Sequence, residues 1–180
     1  MKKEHYSLVI RYLILILIAL PNLYLFYLIF TPLTIYPLYF LINLFSNVSL
    51  QANTLFINSL SIKIINACIA GSAYYLLFIL NISIPKIEFK KRLKMIGFAF
   101  SSLLILNILR ILFLLLILIT TPSLFDITHK AFWYLISLFF VAGIWFIEVR
   151  IFKIKQIPVY SDIKSLLKDI NKSKSPKKHK

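Results

Sequence analysis

Between Arg11 and Lys63 the chain carries no Lys, Arg, Asp or Glu, and between Lys63 and Lys86 again none. Stretches of this kind have few homes in water. A hydrocarbon core about 30 Å thick is crossed by roughly 20 apolar residues of helix, and the chain supplies several such runs. Of the 180 residues 60% are hydrophobic and only 3 are glycine, more apolar surface than a water-soluble domain of this size can hide. The expected fold is therefore an all-α polytopic membrane protein: about four transmembrane helices, one short re-entrant or interfacial helix, and room for a small outer-face β-hairpin. The first apolar run continues well past about 15 residues and lacks a small-residue cleavage site, so its helix is expected to remain in the mature protein.

The net charge of +15 is gathered rather than spread. Lys2, Lys3 and Arg11 open the chain, Lys86, Lys90, Lys91, Arg92 and Lys94 fill a short connector, and a third group runs from Arg150 to Lys180, leaving only Lys63, Arg110 and Lys130 outside the three. Clusters beside apolar spans follow the positive-inside rule, which puts all three on the cytoplasmic side and argues against nucleic acid as a partner. A membrane-embedded domain over residues 1–152 and a basic cytoplasmic tail over 153–180 follow from this division.

Along the chain, the expected spans are Ser7–Phe30 with a kink at Pro21, Ala67–Ile82, Met95–Thr120 and Ala131–Ile151, giving four crossings with both termini inside. Thr31–Phe45, 15 residues broken by Pro32 and Pro37, is short for a crossing and is expected to be interfacial or re-entrant on the outer side. Asn53–Ile65 is rich in β-branched residues around Asn58-Ser59, which fits either a hairpin or an irregular loop. Thr121–Lys130 is expected as a polar outer loop. In the tail, Ser161 would cap an amphipathic stretch to Ile170, and the Lys/Ser/Pro run beyond it would attract anionic lipid headgroups.

Arg110 sits about 15 Å of helix rise inside the Thr120 end of its span. A charge at that depth costs at least about 2.5–3.5 kcal/mol on insertion scales, so such residues face a protein-lined or watery interior. Asn107, three residues earlier, shares its helix face. Cys68, the single cysteine, cannot form an intrachain disulfide, and any chemistry it has is that of a thiol. A lone cysteine in an apolar helix is most often a small buried hydrophobe, but at a helix N-terminus the free backbone N–H groups favour its nucleophilic form. Gly71, one turn on, would allow close approach of a substrate backbone or another helix. His129 reaches the same outer face, where an imidazole is a common base for a thiol, and Asp126 could orient it or merely decorate the loop. No metal-ligand cluster and no phosphate-binding glycine loop occurs, so no cofactor is expected.

Ala67-Cys-Ile-Ala-Gly-Ser-Ala-Tyr-Tyr-Leu-Leu77, Asn107-Ile-Leu-Arg-Ile111 and His129 just before the last helix resemble, in order and spacing, the cysteine, Asn-x-x-Arg and histidine blocks of the exosortase/archaeosortase family of membrane-embedded cysteine transpeptidases. The likeness covers roughly Ser49 to Trp145. Many members place glycine two residues after the cysteine, whereas Gly71 comes three after Cys68, as in a short, divergent, archaeal-type member. The resemblance implies an enzyme that cleaves secreted proteins bearing a C-terminal sorting tail of short motif, transmembrane helix and basic cluster. Cys68 would form the acyl-enzyme, His129 would move the proton, and Arg110 would stabilise the oxyanion or position the substrate. Transfer to a lipid headgroup or amine, or hydrolysis, would complete the reaction. The competing expectation is a non-enzymatic transport subunit or scaffold in which Arg110 binds an anion and Cys68 is structural.

Overall fold

The computed structural model describes residues 2–57, 60–156, 158, 160, 162–164 and 167, and it is mostly helical with one small sheet. Helix α1 (Lys2–Ala19) is followed by α2 (Tyr24–Asn43), three strands (β1 Val48–Gln51, β2 Thr54–Ile57, β3 Leu60–Lys63) and a single turn of helix, α3 (Asn66–Ile69). Then come α4 (Gly71–Ile82), α5 (Phe89–Thr120), α6 (Pro122–Ala131) and α7 (Ser137–Ile151), the last two joined by a π-helical turn over Phe132–Ile136. Two helices, α2 and α5, are long and apolar enough to cross a membrane, and α6 with α7 makes a third if the pair, bent by 41°, is one span. The apolar parts of α1 (Leu8–Ala19) and α3–α4 (Asn66–Ile82) are shorter than that standard.

The N-terminal third is divided differently from the expectation of a Ser7–Phe30 span and a short Thr31–Phe45 segment. The break falls at residues 20–23, where Pro21 removes a helix donor and Asn22 and Leu23 both take left-handed backbone angles (φ 51° and 60°). Helix α2 then runs unbroken through Pro32 and Pro37 for 20 residues. Both helices climb beside α4 in one direction. Arg11 donates to the Ile82 carbonyl (3.3 Å) and the Tyr75 hydroxyl donates to Leu15 O (2.9 Å). Higher up, the Phe30 ring stacks on Tyr74 at 3.6 Å between centroids, and Leu38 and Ile42 reach the Cys68 end. Phe26, Phe30, Tyr74 and Phe100 form the aromatic centre where α2, α4 and α5 meet.

The sheet exceeds the expected hairpin. Strands β2 and β3 pair antiparallel from Ile57↔Leu60 to Thr54↔Lys63, around the Asn58-Ser59 pair, which lies outside the described residues. A further strand, β1, pairs with β2 across a turn at Ala52, a left-handed residue with φ 52°. Alternation along β2 buries Leu55 and Ile57 against the helices, which docks the sheet over the end of the bundle that holds Cys68. The expected loop Thr121–Lys130 is instead helix α6: Pro122 occupies its first turn, and Lys130 and Asp126 pair along its exposed face. Helix α5 begins at Phe89, before Met95, so Lys90 to Lys94 form its first turns rather than a connector.

At the opposite end, Arg92 donates to the carbonyls of Asn81 and Ile82 (both 2.7 Å) and Ile84 (2.8 Å), satisfying the orphan acceptors where α4 ends. The tail begins by folding back: Asp162, buried, takes Arg11 at 2.8 Å and the Tyr12 hydroxyl at 3.3 Å. Most of the expected amphipathic segment Ser161–Ile170 lies outside the described residues.

Candidate active site

Three elements converge below the sheet. Helix α3 carries Cys68, α5 carries Asn107 and Arg110, and α6 carries His129. Cys68 does not start a long helix as expected. It sits in the single turn of α3, whose four residues make too short a helix to develop a strong terminal dipole, and α4 starts only at Gly71. Between them Ala70 is held in the left-handed region (φ 60°, ψ 39°), a conformation unfavourable for a residue with a Cβ. The kink separates the Cys68 turn from α4 and leaves the Ala67 and Cys68 carbonyls to be satisfied by side chains.

Asn107 and Arg110 supply those donors. Asn107 Nδ2 donates to Cys68 O at 2.8 Å, and Arg110 Nη2 donates to Ala67 O at 3.3 Å and to Cys68 O at 3.5 Å. Arg110 Nη1 donates to Ser137 Oγ at 3.1 Å, and Ser137 Oγ donates in turn to Phe132 O at 2.7 Å, across the π turn. The guanidinium is buried, at 8% exposure, and its Nε has no partner among the described residues. A guanidinium has five N–H donors. Three are engaged in these bonds and Nε is sealed from the cavity, which leaves one Nη1 hydrogen for a ligand. The Cys68 side chain lies within electrostatic reach of the same guanidinium.

Two cavities meet at Arg110 and His129. One, of about 180 Å³, is walled by aliphatic side chains from α2, the sheet and α5, and Cys68, Arg110 and His129 all line it. The other, of about 280 Å³, holds Asn66, Ser72, Trp133 and Ser137 around the same arginine and histidine. The structure thus brings the thiol, the cation and the imidazole to one space. His129 is half-buried, stacked on Phe125 (5.5 Å, 6°) and edge-on to Trp133 (6.2 Å).

Asp126 is not brought to the imidazole. Its carboxylate takes Lys130 at 2.6 Å, both side chains exposed, and no hydrogen bond joins it to His129 among the described residues. Gly71 makes its close approach to a helix: a Cβ there would stand 2.6 Å from the ring of Tyr27 on α2. Ser137 was not foreseen, and nothing local in the sequence marks it. Glu148 was also missed. Fully buried on α7, it accepts a bond from Asn81 Nδ2 at 3.2 Å, and the argument applied to Arg110, a charge inside an apolar run, would have found it. Among the described residues no cluster of three His, Cys, Asp or Glu forms that could hold a metal.

No family model, no curated protein and no solved structure matches this chain.

Proposed function

We propose that the chain is a membrane-embedded cysteine transpeptidase or protease that cleaves C-terminal sorting tails of secreted proteins, as its resemblance to the exosortase/archaeosortase family implies. The observation that carries this reading is the shared cavity of Cys68, Arg110 and His129, with the Cys68 backbone fixed by Asn107 and Arg110. In the proposed topology α2, α4, α5 and the bent α6–α7 pair make four passes, the basic clusters face the cytoplasm, and the site opens in the outer half of the membrane. A substrate held by its own transmembrane helix would reach it laterally.

In the acylation step His129 takes the thiol proton and the Cys68 sulfur attacks the scissile carbonyl carbon. The unengaged Arg110 Nη1 donor serves the oxyanion as it forms, a role that is strong where water is excluded. The C–N bond breaks, the imidazolium returns its proton to the leaving amine, and the thioester remains on Cys68. An acceptor amine, lipid hydroxyl or water then gives its proton to His129 and attacks the thioester, and the thiol takes the proton back as it leaves. The aliphatic cavity suits an apolar side chain on the acyl side of the scissile bond, and the more polar cavity suits the acceptor.

The test is a Cys68→Ala variant co-expressed with a secreted protein from the same source that ends in a short motif, an apolar span and a basic tip. Loss of tail processing with normal membrane insertion is expected. Unchanged processing would favour the transport or scaffold reading, in which the buried arginine binds an anion.

A further inference from the structure

Strand β3 is an outer strand of the sheet, with β2 on one side and no described strand on the other. One bond fixes the direction of its peptide groups: Ile64 N–H donates to Asn53 O at 2.8 Å, in register with the ladder that ends at Thr54↔Lys63. Peptide groups alternate in direction along an antiparallel strand, so Leu60, Ile62 and Ile64 face β2 while Ser61 and Lys63 face away from it. The chain stays extended through Ile65 (φ −98°, ψ 169°), whose N–H therefore points the same way as that of Lys63. Among the described residues no hydrogen bond reaches the N–H or carbonyl of Ser61 and Lys63, or the N–H of Ile65. An edge of this kind is a ready template for another extended chain.

The edge runs into the cysteine cavity. Ile62, Lys63, Ile64 and Ile65 line the same aliphatic space as Cys68. Successive side chains of an extended segment point to opposite sides, so four in a row at one cavity set the edge of the segment, and not one face alone, along the wall. The facing wall, Ile111, Leu114 and Leu118 of α5, brings no backbone partner, because amides inside a helix are already bonded within it. The same limit applies to a transmembrane helix of a substrate. The part of a sorting tail that can offer free backbone groups is the short motif ahead of that helix, in extended form. We infer that the Ser61–Ile65 edge binds this motif as an added strand, its N–H groups donating to the Ser61 and Lys63 carbonyls and its carbonyls accepting from the Lys63 and Ile65 N–H groups. Every second side chain of the motif then enters the aliphatic cavity, and the chain is led towards the Cys68 sulfur. This inference rests on the sorting-tail reading above and adds to it the conformation in which the substrate is held.

The test is the rate of Cys68 acylation in the full chain in detergent, using synthetic peptides that comprise the motif and apolar span of a sorting tail from the same source. Each peptide carries one N-methylated amide upstream of the scissile bond. Two amides two residues apart should each lower the rate about tenfold when methylated, and the amide between them should leave it within about twofold, because a strand offers only every second N–H to one neighbour. This result is read on wild type and needs no variant to fold. On the protein, Lys63→Pro removes the outward N–H without touching the β2 ladder, and it should acylate about tenfold more slowly than Lys63→Ala, which keeps that N–H. Losses without a period of two along the peptide, or equal rates in the two folded variants, would overturn the added strand and leave the Cys68 adduct, and with it the enzymatic reading, intact. No adduct on wild type would overturn both. A dimer of the purified protein that Lys63→Pro dissociates, with acylation unchanged, would give the edge to β3 of a second copy instead.

Discussion

Replacing Asn107 with leucine removes the shortest bond to the Cys68 carbonyl while keeping the side chain's branched shape and heavy-atom count. That carbonyl then keeps only the longer contact from Arg110, 3.5 Å against the 2.8 Å that is lost. Interhelical hydrogen bonds in membrane proteins contribute about 0.6 kcal/mol on average and at most about 1.7 kcal/mol, so the fold should lose no more than that. The effect on rate is larger. Helix α3 is a single turn between the β3 connection and the Ala70 kink, with little of its own to fix the sulfur once the Asn107 tether is gone. A displacement of about 1 Å at a reacting centre costs up to about a hundredfold in rate, equivalent to about 2.7 kcal/mol. Asn107→Leu should therefore lower kcat by about 10- to 100-fold with little change in KM, while unfolding in detergent shifts by under about 2 kcal/mol. Single-turnover cleavage of a sorting-tail substrate and reversible unfolding of the same preparation measure the two quantities. A kcat within about twofold of wild type in a folded variant would refute the claim that the Cys68 backbone is held for catalysis.

Gly71→Ala should destabilise the fold by about 1–3 kcal/mol through overpacking against Tyr27, and most of that loss should disappear in a Tyr27→Leu background, which a double-mutant cycle measures. Asp126→Asn should leave cleavage within about twofold of wild type, because its partner is an exposed Lys130 rather than His129; a kinetic comparison of the two proteins decides it.

What the sequence disclosed depended on whether the signal was local. Arg110 betrayed itself by its depth in an apolar run, and Asn107 by its place three residues away on the same face. The β-branched residues flanking Asn58-Ser59 fit a hairpin and an irregular loop alike, and the β2–β3 pairing is what the fold selects. Strand β1 was hidden because Val48–Gln51 is four residues of mixed polarity whose pairing is settled by β2. Pro21 alone predicts a kink; two successive left-handed residues after it make it an end, and no property of Asn22 and Leu23 announces that. Helix α6 reads as a loop from its polar composition, although Pro122 at its start and the four-residue Asp126–Lys130 spacing both fit a helix. The Ser137 brace joins residues 27 apart, the Asn81–Glu148 bond residues 67 apart, and the Arg11–Asp162 pair residues 151 apart. Such pairs depend on tertiary packing, which no window along the chain contains.

The decisive step of the proposed reaction is the bond formed to Cys68. Mixing the purified protein with a sorting-tail substrate, quenching in acid and weighing the intact chain should reveal an adduct equal to the upstream substrate fragment, mapped to Cys68 and released by hydroxylamine. Cleavage proceeding with no such adduct, and undiminished in Cys68→Ala, would contradict it.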